Sequence, residues 1–122
     1  MSAIYGIVGD AEGSELERMG QRLAHRGSAV AEWSPAPTVL FGRRIRDENG
    51  SGLSAPSVPV AFDGFIDYRS ALADALGLRP EEACEDPTLV FAVYRTLGPD
   101  GLSRIRGQFG VAIYDAKSRT LL

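Results

Sequence analysis

The chain has 122 residues, of which 44% are hydrophobic and 24% charged, and its net charge is −3. This length fits one domain that buries roughly two-thirds of its unfolded surface, with a composition typical of soluble globular proteins. The basic side chains are scattered, which argues against nucleic-acid binding, and no apolar run approaches the ~20 residues of a membrane span. The single cysteine excludes an internal disulfide and a cysteine-based metal cluster, so we expect a cytoplasmic location.

The first third of the chain predicts a strand followed by an amphipathic helix. Residues 3–9 have the pattern of a short buried strand. Ser14 and Glu17 have the spacing of a capping box that opens a helix, and Gly27 can close that helix with a positive φ. Residues 29–37 have a mixed pattern with Trp33 as its one large anchor, and the order of elements predicted for the whole chain is β-α-β-β-β-α-α-β-β.

The middle of the chain predicts two further strands and a helix. Residues 38–41 and 58–62 are rich in strand-forming side chains, and residues 47–52 form a polar loop between them. The dipeptide Asp63-Gly64 is expected to break the second strand, and a helix is predicted from about residue 67 to 76.

The last third of the chain predicts a second helix and a buried strand. Asp86 is the expected N-cap of the helix with Pro87 in its first turn, and Gly98 ends it. Residues 108–114 alternate large apolar side chains with small or aromatic ones, which predicts a strand covered on both faces. The apolar residues 120–122 are expected to end inside the core. Because strands and helices come in runs, the order favours an α+β fold of stacked layers.

Six short motifs in one order point to a known family. They are Tyr5-Gly6-Ile7-Val8-Gly9, His25-Arg26-Gly27, Arg43-Arg44, Phe62-Asp63-Gly64-Phe65-Ile66, Asp86 and Arg106-Gly107-Gln108-Phe109-Gly110. On these motifs the chain resembles the N-terminal class II glutamine amidotransferase domain of asparagine synthetase and its relatives. Those relatives include β-lactam synthetases and lasso-peptide macrocyclases.

The resemblance implies an N-terminal-nucleophile hydrolase fold, an αββα sandwich of two antiparallel sheets. It implies that residues 1–122 form a single but partial domain, truncated at its C-terminus, because the family domain continues further. We therefore expect a synthetase domain or a separate chain to complete the sheet, or self-association through the C-terminal strand. ATP and Mg²⁺ would belong to the synthetase domain, and no cofactor or metal is expected in this chain.

The family's nucleophile is a cysteine at the first position of the mature chain, and Tyr5 stands at the matching position. The family's thiolate attacks the glutamine amide while its free α-amine acts as the base. A phenol with a pKa of about 10 is protonated at neutral pH, and the Tyr5 nitrogen is locked in a peptide bond. We therefore expect no catalytic residue at this degenerate nucleophile position. The simpler interpretation is that Tyr5 is an aromatic side chain of the core.

The family's oxyanion donor is an asparagine, and Asp63 with Gly64 occupies that degenerate oxyanion position. An ionised carboxylate accepts hydrogen bonds and cannot donate them, so it would repel a developing oxyanion. Phe65 stands where the family has a glutamate. Glutamine hydrolysis is therefore predicted to be absent.

The remaining substrate-binding positions are better preserved. The resemblance assigns the substrate carboxylate to Arg44 and the substrate amine to Asp86, with Asp63 and Gly64 as further remnants of the binding site. Each has a simpler alternative: Arg44 as a solvated strand residue and Asp86 as a helix cap.

Three other side chains are candidates for a catalytic group. His25 is best explained as a turn residue near a helix end, and the acidic surroundings of Cys84 do not favour a reactive thiolate. Ser2 would become a free N-terminal nucleophile after removal of Met1, but it precedes Tyr5 by about 10 Å along a strand.

The leading hypothesis is therefore a catalytically inactive glutamine amidotransferase-like domain that supports an ATP-dependent amide-bond-forming enzyme of the asparagine synthetase family. Such a parent enzyme could close a lasso-peptide or β-lactam ring, where the amine is not ammonia. The alternatives are a regulatory module that binds an amino acid through Arg44 and Asp86, and a glutamine amidohydrolase that uses Ser2.

Overall fold

A computed structural model describes residues 2–48 and 53–122 of the chain. Within these residues the fold is mixed α+β, with two small antiparallel sheets of three strands each and three α-helices. The α+β prediction is therefore confirmed. Much of the loop predicted at residues 47–52 lies outside the described residues.

The first sheet has the strand order β1-β3-β2. Its strands are β1 (Ser2–Val8), β2 (Ala29–Ala36) and β3 (Val39–Ile45). Gly42 is opposite both Tyr5 and Glu32, so these three residues share one face of the sheet. Arg43, the next residue of β3, therefore belongs to the other face.

The second sheet has the order β4-β5-β6. Its strands are β4 (Val60–Asp67), β5 (Arg106–Asp115) and β6 (Thr120–Leu121). The two faces of β5 contribute to different cores: Ile113 packs with β4 and a helix, whereas Tyr114 packs with Phe41 of the first sheet. The prediction that this strand is covered on both faces is confirmed at this end, although Gly110 and the residues before Phe109 are exposed.

The three α-helices are α1 (Gly13–Arg22), α2 (Arg69–Leu76) and α3 (Asp86–Leu97). Short 3₁₀ helices occupy Ala24–Arg26, Pro80–Glu82 and Pro99–Arg104. Helix α1 covers the Tyr5 face of the first sheet, and α3 buries Leu89, Val90 and Val93 against β4 and β5. The core therefore lies in two parts, one between the sheets and one beneath α3.

The predicted helix caps were wrong in three places. Helix α1 begins one residue before Ser14, and the Glu15 carboxylate accepts a hydrogen bond from the backbone N–H of Glu12 at 2.9 Å. Gly27 follows a 3₁₀ helix in an extended conformation and does not close α1. Asp86 is the first residue of α3 rather than its N-cap, because Glu85 holds the cap position.

The predicted break at Asp63-Gly64 was also wrong, because β4 continues through both residues to Asp67. Gly64 has a φ of +126°, and a Cβ there would lie 2.1 Å from the carbonyl oxygen of Gln108. Glycine therefore permits a close approach of β4 and β5 rather than a turn. The chain turns directly from β4 into α2 at Tyr68, which has a left-handed φ of 54°.

None of the helices in the described ranges combines the length and the apolar character that a membrane crossing requires.

Candidate functional site

Tyr5 lies in the middle of β1, with its ring buried between the sheet and α1. Two glycines make the space for this ring. A Cβ at Gly42 would lie 2.3 Å from the ring, and a Cβ at Gly20 would lie 2.5 Å from the hydroxyl oxygen. The large ring of Tyr5 therefore fits here because the two residues that face it are glycines.

The hydroxyl group of Tyr5 donates a hydrogen bond to Oε1 of Glu32 at 2.8 Å. Burial is the largest influence on its pKa, and the neighbouring carboxylate adds to it; together they raise the pKa of Tyr5 to about 12. The phenol therefore stays protonated at neutral pH. A protonated phenol whose proton is held by a carboxylate is a poor nucleophile.

Arg44 lies on the same face of β3 as Gly42 and close to Tyr5. Its Nη1 donates to the carbonyl oxygen of Gly27 at 2.8 Å, which ties β3 to the segment after the first 3₁₀ helix. Its Nε is buried and has no hydrogen-bond partner within the described residues. The hydrogen bond to Gly27 therefore gives Arg44 a structural role.

Asp63 lies on the face of β4 that is directed toward the first sheet, where it accepts a hydrogen bond from the hydroxyl group of Ser2. Arg26 donates to the carbonyl oxygen of Ser2 at 3.1 Å, so the beginning of β1 is held from two sides. The Asp63 carboxylate accordingly acts as an acceptor here. Gly64, its neighbour, is needed for the close approach of β4 to β5 described above.

Asp86 at the start of α3 forms an ion pair with Arg69 at the start of α2. Arg69 also donates to the carbonyl oxygen of Ala83 at 2.8 Å, so its guanidinium joins the two helices and the turn before α3. The Asp86 carboxylate already has a cationic partner from its own chain.

The structure thus separates the predicted site residues into three groups. Tyr5 and Arg44 share the face covered by α1, Asp63 contacts Ser2 between the sheets, and Asp86 pairs with Arg69. The assignment of these residues to the remnant of a substrate site stays a prediction.

A cavity of about 360 Å³ lies beside the start of α3 and includes a residue that the sequence reasoning missed. Its wall contains Arg43 and Trp33 from the first sheet, Phe62 from β4, and the Arg69–Asp86 pair. The Nε of Arg43 and the Nε1 of Trp33 are buried and have no hydrogen-bond partner among the described residues. Strand alternation was the available signal, because it places Arg43 on the same face as Phe41 and Arg44 on the other face.

The two remaining candidates have surroundings that do not indicate catalysis. His25 is exposed within the 3₁₀ helix Ala24–Arg26, and the exposed Sγ of Cys84 donates to the carbonyl oxygen of Glu81 at 3.1 Å. In residues 2–48 and 53–122, no three histidine, cysteine or acidic side chains are grouped as a metal site would require.

Comparison with known proteins gives no match, either in a scan against protein-family models or in a search of curated proteins.

Proposed function

We propose that this chain is a glutamine amidotransferase-like domain that has lost glutaminase activity and supports an ATP-dependent, amide-bond-forming enzyme of the asparagine synthetase family. The ordered motifs from Tyr5 to Gly110 support this proposal. Two antiparallel sheets that share a core, with α1 and α3 on their outer sides, are compatible with the αββα sandwich of that family.

The observation that carries the loss of activity is the environment of Tyr5. Its ring is enclosed by Gly20 and Gly42, its hydroxyl is bonded to Glu32, and its backbone nitrogen lies within a strand. Neither an attacking thiolate nor a free α-amine is present at this position, so both parts of the family's nucleophilic mechanism are missing.

The environment of Asp63 points the same way. A carboxylate at the oxyanion position donates no hydrogen bond, and the loss of one such donor costs about 2.7–4 kcal/mol of transition-state stabilisation. The Ser2 hydroxyl donates to Asp63, so the alternative nucleophile is adjacent to a negative charge that would oppose a tetrahedral oxyanion.

The positive role would be structural support for a partner that activates a carboxylate as its acyl-adenylate and passes it to an amine. Where that amine belongs to a peptide or a metabolite, as in lasso-peptide or β-lactam ring closure, ammonia from glutamine is not needed. ATP and Mg²⁺ would bind to this partner, in the cytoplasm. The partner would be a synthetase domain or a separate chain that completes the sheet, with self-association through β6 as the alternative.

The first experiment measures glutamine hydrolysis by the purified chain, by Ser2→Ala and by Tyr5→Cys. We expect no turnover in any of the three, since a cysteine within β1 has no free α-amine. Turnover that disappears in Ser2→Ala would instead establish Ser2 as the nucleophile and overturn the proposal.

The second experiment tests the supporting role. The protein is captured from its native cells under gentle conditions and assayed for carboxylate-dependent exchange of pyrophosphate into ATP. We expect an adenylating amide ligase to be recovered with it, and its product to form at the same rate with or without glutamine. Capture without any ATP-dependent ligase, or a product whose nitrogen derives from glutamine, would contradict the proposal.

A further inference from the structure

The free edges of the two sheets differ in how well they are protected against pairing with another strand. Edge strands of folded proteins are normally blunted by charges, proline, bulges or very short length. Edge strand β2 contains Glu32, Pro35 and an irregular register between Trp33 and Ala36, and β6 has only two residues. Edge strand β4 carries two aspartates and the positive φ of Gly64. Three of the four edges in the described residues therefore have a protective feature.

Strand β1, the fourth edge, has none of these features. Its seven residues include no charged side chain and no proline, and its register with β3 runs without a shift from Ser2 to Val8. Within the described residues, β3 is the one strand that pairs with it. Arg26 contacts the start of β1 by donating to the carbonyl oxygen of Ser2, whereas Gly6 and Val8 further along are exposed. Most of β1 is therefore an unprotected edge.

The backbone groups that reach the free edge of β1 follow from one hydrogen bond. The N–H of Gly9 donates to the carbonyl oxygen of Thr38 at 2.8 Å, in continuation of the register between β1 and β3. Residues of an antiparallel pair direct their N–H and C=O groups alternately toward and away from the neighbouring strand, so Ile4, Gly6 and Val8 direct theirs to the free edge. Such a row of donors and acceptors is complementary to the backbone of another β-strand.

The same three residues line an apolar groove of about 280 Å³ between the two sheets. The rest of its wall includes Phe41, Ala61, Ala112 and Leu121, and none of its lining residues is charged. Both Val8 and Leu121 are about half exposed, so the groove is open beside the free edge. A charged side chain that entered it would lose water without gaining an opposite charge. Charge complementarity therefore selects a strand without charged side chains.

We propose that the free edge of β1 is where the partner of this chain docks, by adding an uncharged β-strand whose alternate, apolar side chains enter the groove. The inference rests on the function proposed above only in requiring a partner, and it assigns the contact to β1. Two copies of this chain would each bring a net charge of −3, which opposes their association. The added strand therefore belongs to the partner and not to a second copy.

The test introduces a photo-crosslinking amino acid at Val8 or, as the matched control, at Val30, in the protein within its native cells. Both are exposed valines of edge strands, at 47% and 39%, but β2 is a protected edge. We expect a crosslinked product from position 8 and none from position 30, and mass spectrometry should map the product to an uncharged strand of the partner. A product that maps to a charged or helical segment, to a second copy of this chain, or equally from both positions would overturn the proposal, as would no product from position 8.

Val8→Lys and Val30→Lys are the matched variants for binding of the partner identified in this way. We expect Val8→Lys to weaken binding about 10- to 100-fold, because it places an unpaired charge in the contact, and Val30→Lys to leave the affinity unchanged. Val8→Thr keeps an uncharged, β-branched side chain and should retain most of the affinity. Circular dichroism checks that each variant is folded, and equal losses in the two lysine variants would contradict the proposal.

Hydrogen exchange examines the same edge without any substitution. In the free chain, the N–H groups of Ile4, Gly6 and Val8 should exchange faster than those of the β1 residues directed toward β3. Binding of the partner should slow the first group at least about tenfold, and unchanged exchange of this group in the complex would overturn the proposal. A partner that protects this edge but has no ATP-dependent ligase activity would contradict the function proposed above and leave the assignment of the β1 edge in place.

Discussion

Adjacent residues of β3 belong to two sites that differ in almost every respect. Gly42 opens space for the Tyr5 ring on one face of the sheet, while Arg43 borders the cavity beside α3 on the other. The Tyr5 site is filled by the protein's own side chain, and its hydroxyl has an acceptor in Glu32. The cavity is open, and its lining combines charged side chains such as Arg43 and Glu85 with apolar ones such as Trp33.

One face of the first sheet is thus filled by the protein's own side chains, and the other borders an open cavity. A filled and hydrogen-bonded site contributes to stability, whereas a side chain that borders an open cavity contributes less to it. Substitutions at the two sites should therefore differ in their effect on the free energy of unfolding.

The largest expected effect is that of Tyr5→Ala. Removal of this buried ring should destabilise the fold by about 3–5 kcal/mol, the range for loss of a large aromatic side chain. The measurement is chemical unfolding. Tyr68→Ala is the matched control, because the Tyr68 side chain is 74% exposed and its loss should change the stability by less than about 0.5 kcal/mol.

Gly42→Ala tests whether Tyr5 and Gly42 are complementary, because the atoms nearest to the new Cβ all belong to Tyr5. Alone it should cost about 1–3 kcal/mol by overpacking, but much less in the Tyr5→Ala background. Additive costs in the double mutant would mean that the two residues are not complementary.

The second effect is a loss of stability at alkaline pH. The pKa of Tyr5 is raised to about 12 in the folded state, above the value near 10 of an exposed tyrosine. Because the folded state holds its proton more tightly, the associated stability is fully present below pH ~10 and is lost as the pH rises toward ~12. The total is on the order of 2 kcal/mol.

Tyr5→Phe should remove most of this alkaline loss, as measured by urea unfolding between neutral pH and the alkaline limit of reversibility. Tyr94 provides a comparison, because its hydrogen bond to Asp115 also raises its pKa at the protein surface. If Tyr94→Phe flattens the pH dependence and Tyr5→Phe does not, the titrating group is at the surface and the Tyr5 site is not as enclosed as described.

The elements with a strong local pattern were predictable from the sequence. The alternation of side chains correctly predicted the strand β5, and Gly77 correctly predicted the end of α2. Both signals are local, because strand period and a left-handed glycine depend on neighbouring residues only. The order of strands and helices, predicted as β-α-β-β-β-α-α-β-β, is the observed one, but the mixed pattern of residues 29–37 gave no bounds for β2, because this strand depends on pairing with β3 rather than on its own composition. The continuation of β4 through Gly64 depends on the close approach of this glycine to the backbone of Gln108, which is distant in sequence.

The candidate site was predictable only in part. The chemistry of a phenol at Tyr5 follows from the residue type, but its burial depends on Gly20 and Gly42, which no spacing rule connects to it. Arg43 was passed over in favour of Arg44, although the two side chains belong to opposite faces of β3. The pairing of Asp86 with Arg69 was not foreseen, because it brings together the starts of two different helices.

The third effect concerns the paired side of the cavity. Asp86→Asn breaks the ion pair with Arg69. The Asp86 side chain is 18% exposed and the Arg69 side chain 37%. We expect a loss of about 1–2 kcal/mol, between the values for exposed and for buried pairs. Asp100→Asn, at an exposed position in the 3₁₀ helix Pro99–Arg104, is the control and should cost less than about 0.5 kcal/mol. Equal losses would mean that the pair with Arg69 adds nothing.

The smallest effect, and the one most specific to the open site, is that of Arg43→Gln on stability. Its buried Nε has no acceptor within the described residues, so the native state gains no hydrogen bond there that the substitution could remove. The free energy of unfolding without ligand should change by less than about 0.5 kcal/mol, or rise slightly. Arg44→Gln should cost about 1 kcal/mol, because it removes the bond to the Gly27 carbonyl oxygen. If Arg43→Gln is the more damaging of the two, Arg43 supports the fold more than Arg44 does.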